Sequence, residues 1–140
     1  MTPAMEDAIH WCLSEPRTWA VVGCSPSPFR DSHGIAALLL RKGNQVIPVN
    51  PDEDRILGRE CYGSLHDVPQ PVDVVDIFRR SEAAGPHVDE AIAIGARAVW
   101  LQLGVIDNAA AERARSAGLH VVMNRCPRIE YPRMATRGDG

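Results

Sequence analysis

Five short apolar runs punctuate the sequence: WAVV at 19–22, QVIPV at 45–49, VDVVDIF at 72–78, AVWL at 98–101 and HVVM at 120–123. Most are continuous rather than alternating, the pattern of strands covered on both faces of a parallel sheet. Between them lie segments of helical period. One covers 33–42, with Ile35, Leu38 and Leu39 on one stripe; one covers 86–95, with Val88, Ala91, Ile92 and Ile94; one covers 108–117. A short amphipathic helix at 5–13 precedes the first run, with Met5, Ile9, Cys12 and Leu13 on one side. Strand and helix alternate throughout, which calls for a parallel sheet with right-handed crossovers. The expected fold class is α/β: a doubly wound, mainly parallel five-stranded sheet in a single domain over residues 1–140, with a frayed tail at 136–140. Ser32 is the expected N-cap of the helix at 33–42, and Asp107 or Asn108 that of the helix at 108–117. Residues 52–68 read as an irregular excursion, marked by Gly58, Gly63 and Ser64-Leu65.

Composition narrows the function classes. At 140 residues the chain has the size of one domain and needs no metal or disulfide staple. The net charge is −3 and no Lys/Arg block occurs, so no nucleic-acid partner is expected. No apolar stretch approaches the ~20 residues of a membrane span. The first residues carry Glu6, Asp7 and His10 instead of the apolar core of a signal peptide. Cys12, Cys24, Cys61 and Cys126 form no CxxC pair and no zinc-like spacing. The expectation is a cytoplasmic protein with free thiols, no metal site and no membrane partner. The single lysine, Lys42 beside Gly43, excludes a GK[ST] phosphate loop.

Ligands of open parallel sheets sit beyond the C-terminal strand ends, near the switch in strand order. The first strand runs into Gly23, Ser25 and Pro26, then Ser32, His33 and Gly34 at a helix start. A glycine turn leading to a helix N-terminus suits an anion, though a plain strand–helix turn has the same composition. The second strand ends at Asn50-Pro51, where a dinucleotide site would carry an acid for the ribose. Phe78, Arg79 and Arg80 follow the third strand, offering an apolar face and two guanidiniums for phosphate or for surface ion pairs with Glu82 or Asp89. Gln102 and Gly104 follow the fourth, and Asn124, Arg125 and Cys126 the fifth. The candidate reactive groups are Cys24, Cys126, His33, His66, His87 and His120. They show no Ser-His-Asp order, and no carboxylate pair stands out, so no catalytic residue is assigned.

The segments VVGCSPSP, HGIAALLLRKGNQVIPVNP, ILGRECYGSLHDVPQPVDVVDIFRR, AIAIGARAVWLQLG and AGLHVVMNRCPRIEYPRM resemble the small stand-alone CoA-binding proteins. These are similar to the nucleotide-binding domain of the succinyl-CoA synthetase α subunit. The paired signatures VDVVDIFRR and AVWLQLG are the most specific, and the likeness runs roughly from Trp19 to Met134. It implies a Rossmann-like domain holding coenzyme A as its nucleotide ligand. On the matching positions Gly23, Ser25 and Pro26 line the diphosphate site, with Ser32 and His33 at the helix start. Asn50 and Pro51 flank the adenosine, Phe78, Arg79 and Arg80 border the crevice, and Gln102 and Gly104 close it. The family's usual MDRC segment is MNRC here, with Asn124 in place of the acid. A binding module is expected ahead of an enzyme. The alternatives are an NAD(P)-linked oxidoreductase, against which Asn50 speaks, and a thiol-redox protein forming a mixed disulfide with CoA through Cys24 or Cys126.

Overall fold

The computed structural model describes residues 3–136. After helix α1 (Pro3–Leu13), strand β1 (Thr18–Val22) enters the centre of the molecule and α2 (Asp31–Arg41) returns the chain to β2 (Gln45–Val49). A two-stranded hairpin, β3 (Arg55–Ile56) and β4 (Arg59–Glu60), and a 3-10 turn at Leu65–Asp67 lead to β5 (Val74–Ile77). Then follow α3 (Ser81–Ala93), β6 (Ala98–Gln102), α4 (Asn108–Ser116), β7 (His120–Arg125) and α5 (Pro127–Thr136).

The five main strands pair in parallel in the order β2-β1-β5-β6-β7. One face of the sheet presents Ala20, Val22, Val75, Ile77, Val99 and Leu101 to α3 and α4. The other presents Trp19, Val21, Val74, Trp100 and Val122 to α1, α2 and α5. Two apolar faces explain why the strand sequences are nearly uninterrupted. β2 lies on one side of β1 and β5 on the other, so the winding reverses between β1 and β5.

The expected α/β sheet is present, and three local features depart from expectation. Helix α3 begins at Ser81, five residues before the expected start at 86, and runs through Gly85 and Pro86. That pair reads as a breaker, but Ala84, Val88 and Ala91 are fully buried on one stripe and their packing overrides it. The excursion at 52–68 contains the β3–β4 hairpin, whose turn residues Leu57 and Gly58 have φ of 54° and 71°. A leucine rarely adopts that conformation, which hides the turn from a reading of composition. Finally, β7 is followed by α5, which Pro132 obscured. Thr136 closes that helix, and the rest of the expected tail, 137–140, lies outside the described residues.

One polar residue sits in the middle of the sheet. Asp76 stands between Val21 and Trp100 in register and is fully buried. Neither carboxylate oxygen has a hydrogen-bond partner among the described residues. Burial pushes its carboxyl well above the usual range, because the charged form has nothing to replace its hydration. Below about pH 4 folded and unfolded chains both hold this proton. Above it the unfolded chain releases the proton while the folded chain keeps it, so folding loses stability as the pH rises toward the folded-state value. An Asp76→Asn variant is spared this loss. Its urea midpoint should exceed the parent's by more at pH 7 than at pH 5, and an equal difference at both would show that Asp76 is ionised in the fold.

Candidate functional site

The strand ends at the reversal point lie side by side. Gly23 closes β1 with φ 81°, and a Cβ there would stand 2.5 Å from the carbonyl oxygen of Phe78 at the end of β5. The Gly23 N–H donates to the Val49 carbonyl at 3.0 Å and the Phe78 N–H to the Val22 carbonyl at 2.9 Å. The loop after β1 is braced by its own hydroxyls. Ser32 Oγ accepts from the Ser25 N–H at 2.9 Å, and Ser25 Oγ from the Ser27 N–H at 3.0 Å.

This use of Ser32 corrects its expected role as a cap. Helix α2 starts two residues earlier than expected, at Asp31, with Arg30 in the cap position and no side-chain cap. The amide groups at the start of α2 are therefore open to an anion.

Around this loop opens a crevice of about 880 Å³, a volume typical of small-molecule sites, which run to roughly 1,000 Å³. Its walls come from the loops after β1, β5, β6 and β7. Of the residues singled out from sequence, Gly23, Ser25 and Ser32 line it on the β1–α2 side. Phe78, Arg79 and Arg80 line it after β5, and Gln102 and Gly104 after β6. Pro26, His33, Asn50 and Pro51 do not line it. Pro26 and Pro51 are exposed and His33 is half-buried on α2. Asn50 is a bracket between two loops: its Nδ2 donates to the Cys24 carbonyl at 2.9 Å and its Oδ1 accepts from the Asp52 N–H at 2.9 Å.

The sequence reading missed much of the wall that α5 supplies. Arg128 and Ile129, in the first turn of α5, line the crevice beside Cys126, and Phe29 and Arg30 line it from the β1–α2 loop. A Cβ on Gly34 would meet the Arg128 guanidinium at 2.7 Å, so this glycine gives the arginine room over the start of α2. With α5 placed, the strand-end rule finds Arg128.

Asn124 also acquires a role: it has φ 60°, and β7 is irregular there, Leu101 pairing with Met123 but Gln102 with Arg125. Asn124 is thus the extra residue of a bulge, and its Oδ1 accepts from the Gly104 N–H at 2.7 Å. Asparagine and aspartate share both the tolerance for this backbone and the acceptor oxygen, so the MNRC variation preserves the geometry.

The charges on the walls are mostly positive. Arg80 pairs with Glu82 at 3.3 Å, both exposed, and Asp89 is taken by Arg113 at 2.9 Å. Arg30, Arg79 and Arg128 have no acidic partner among the described residues, and Asp31 is the sole acid on the walls.

The candidate reactive groups separate clearly. Cys24 is buried, and burial chiefly, with Cys61 and Asp76 nearby, pushes its thiol up to about 12. It stays protonated and packs beneath the loop. Cys126 is half-buried in the crevice wall. His66 and His87 turn to Glu90 at 3.6 and 3.0 Å, and His120 stacks on Trp11 with ring centroids 4.6 Å apart, on the side of the sheet where β7 begins. No group of metal ligands forms among the described residues.

A parallel sheet with a cationic crevice at its winding reversal defines a doubly wound α/β domain, a class whose ligands sit at that reversal. Residues 17–132 match the family described as CoA binding domain, and the chain belongs to that family. It is 33% identical over 119 residues to the uncharacterized protein YneT of Bacillus subtilis, covering 85% of this chain and 88% of that one. A hypothetical protein from Pyrococcus horikoshii superposes with a TM-score of 0.87 at 38% identity, covering 93% of this chain and 92% of that one. The acetyl-coenzyme A synthetase 1 of Ca. Korarchaeum cryptofilum, solved with phosphate and ADP, gives a TM-score of 0.71 at 27% identity over 83% of this chain and 27% of that one.

The contact at Gly23 is testable against a second glycine of similar backbone. Gly104 has φ 86° with nothing within 4 Å of a built Cβ. Alanine at either position meets a conformational cost of about 1–2 kcal/mol, and Gly23→Ala adds the collision with Phe78. Thermal melts should show a clearly larger drop in Tm for Gly23→Ala than for Gly104→Ala. Equal drops would mean that the strand ends part without cost.

Proposed function

We propose that this protein is a cytoplasmic CoA-binding module without chemistry of its own, holding the ADP part of coenzyme A at the C-terminal ends of β1 and β5. The observation that carries the reading is the set of guanidiniums without acidic partners, Arg30, Arg79 and Arg128, grouped with the uncapped start of α2 around one crevice. Such a set suits several phosphate groups on one ligand. Membership of the CoA-binding family selects coenzyme A among phosphorylated ligands. In this arrangement Gly23 and Ser25 lie along the diphosphate with Ser32 at the helix start, and Pro26 and His33 stand behind them, outside the crevice. Phe78, Arg79 and Arg80 border the ligand, and Gln102 and Gly104 close its far end. Asn50 and Pro51 flank the adenosine from outside the crevice, with the Asn50 carboxamide serving the loop bracket. That commitment of Asn50 further weakens an NAD(P) reading, since it is not free for ribose hydroxyls.

Calorimetry should give saturable CoA binding with one site per chain, weaker binding of dephospho-CoA, and a loss of about tenfold or more in Arg79→Ala, the scale of one charge-assisted hydrogen bond. Absence of binding by any adenine nucleotide would overturn the reading.

The half-buried Cys126 on the crevice wall favours one further reading, a mixed disulfide with the ligand. Its thiolate would attack one sulfur of CoA disulfide, giving a protein–CoA disulfide and releasing one CoA thiol. Intact-mass spectrometry after exposure to CoA disulfide should show one CoA adduct, lost in Cys126→Ser. An unchanged mass in the parent protein removes this reading.

A further inference from the structure

The large apolar side chains left exposed among the described residues are not scattered. They are Phe29, 94% exposed, Leu103, 57%, Ile106, 47%, and Ile129, 49%. Phe29, Leu103 and Ile129 line the crevice, and Ile106 stands in the same β6–α4 loop as Leu103. Exposed apolar residues are normal singly, but a group gathered at a ligand site calls for an apolar occupant.

The crevice also has a direction. On the β1 and β5 side are the Ser25 and Ser32 hydroxyls, the start of α2, Arg30 and Arg79. On the β6 and β7 side the wall is Leu103, Val105, Cys126 and Ile129, and Arg128 beside Ile129 carries its guanidinium back to Gly34 at the start of α2. Between the two lies Gln102, 7% exposed, whose Oε1 has no hydrogen-bond partner among the described residues. A ligand complementary to all three parts has an anionic head, an N–H along its middle and an apolar end.

We infer that the crevice selects acyl-CoA over free CoA, with the acyl chain lying against Leu103 and Ile129 under Phe29. The inference rests on the CoA reading above and adds the acyl group to it. The diphosphate supplies the anion, an amide of the pantetheine arm meets Gln102 Oε1, and the thioester carries an unbranched acyl chain over the apolar wall. A carboxylated acyl group is disfavoured there, because the one free guanidinium beside this wall, that of Arg128, turns to Gly34 at the start of α2.

The test is a calorimetric series on the whole protein with CoA, acetyl-, butyryl-, hexanoyl- and octanoyl-CoA, and succinyl-CoA as the charged comparison. Beyond acetyl, Kd should fall about twofold for each methylene, against roughly fourfold for full burial of a methylene. Succinyl-CoA should bind more weakly than butyryl-CoA. The double variant Leu103→Ser/Ile129→Ser should flatten the series, bringing the octanoyl-to-CoA affinity ratio to within about twofold of one. Both side chains are half-exposed, so the fold is retained, and a melt checks it. Phe29→Ala, at a side chain almost wholly in solvent, should reduce the ratio by a smaller factor. CoA and octanoyl-CoA binding equally well would overturn the inference and leave the CoA reading standing. A series that the double variant does not flatten would overturn the assigned wall. Failure of every thioester and of CoA itself would instead fell the CoA reading.

Discussion

Where β1 and β5 leave the sheet side by side there is room for a second backbone and for no side chain. The Gly23 position lies so near the Phe78 carbonyl that a Cβ would collide with it. Everything at the ligand end of the molecule depends on that approach. It lets both strands stay paired to their last residue, through Val49 and Val22 carbonyls, before their loops diverge. The divergence follows from strand order, since one loop leads to a helix on one face of the sheet and the other to a helix on the opposite face. A crevice is the geometric result, and the start of α2 faces into it without a cap of its own.

The other walls are held by short polar links that end on backbone. Ser81 Oγ accepts from the Ile106 N–H at 2.9 Å and donates to the Gly104 carbonyl at 3.3 Å, tying the β6–α4 loop to the start of α3. Asp107 caps α4 through the Ala110 N–H at 3.0 Å, and Trp100 Nε1 donates to the Arg125 carbonyl at 2.9 Å beneath the β7–α5 turn. Because such small groups do the bracing, the long arginine side chains are left over for a ligand. Ordering the loops in advance also lowers the entropic cost of binding.

The sheet was legible in the sequence because burial on both faces leaves a plain signature, an uninterrupted apolar run. Only a serine, glycine and proline pattern obscured the start of α3, where packing of Ala84 and Val88 decides the outcome. The hairpin turn at Leu57 and helix α5 were not legible, the first because leucine is rare at positive φ, the second because Pro132 breaks its helical pattern. At the site, the strand-end rule brought together residues after β1, β5 and β6. It did not tell a polar group that faces a ligand from one already spent inside the fold, as Asn50 is. Nor did it show that Asp76, the second aspartate of VDVVDIF, is fully buried, with burial pushing its carboxyl above the usual range.

The bulge at Asn124 has a consequence outside the crevice. β7 ends one side of the sheet, and its outer backbone groups could template the strand of another molecule. An extra residue bends the strand that carries it and sharpens its twist, and a bent edge is a poor template for a second chain. At the opposite margin, β2 is bridged at Val49 by Tyr62, so that edge too is partly covered. The asparagine that anchors Gly104 in the far wall therefore also blunts the margin of the sheet, and keeps a chain built of sticky apolar strands from propagating strand by strand into its neighbours.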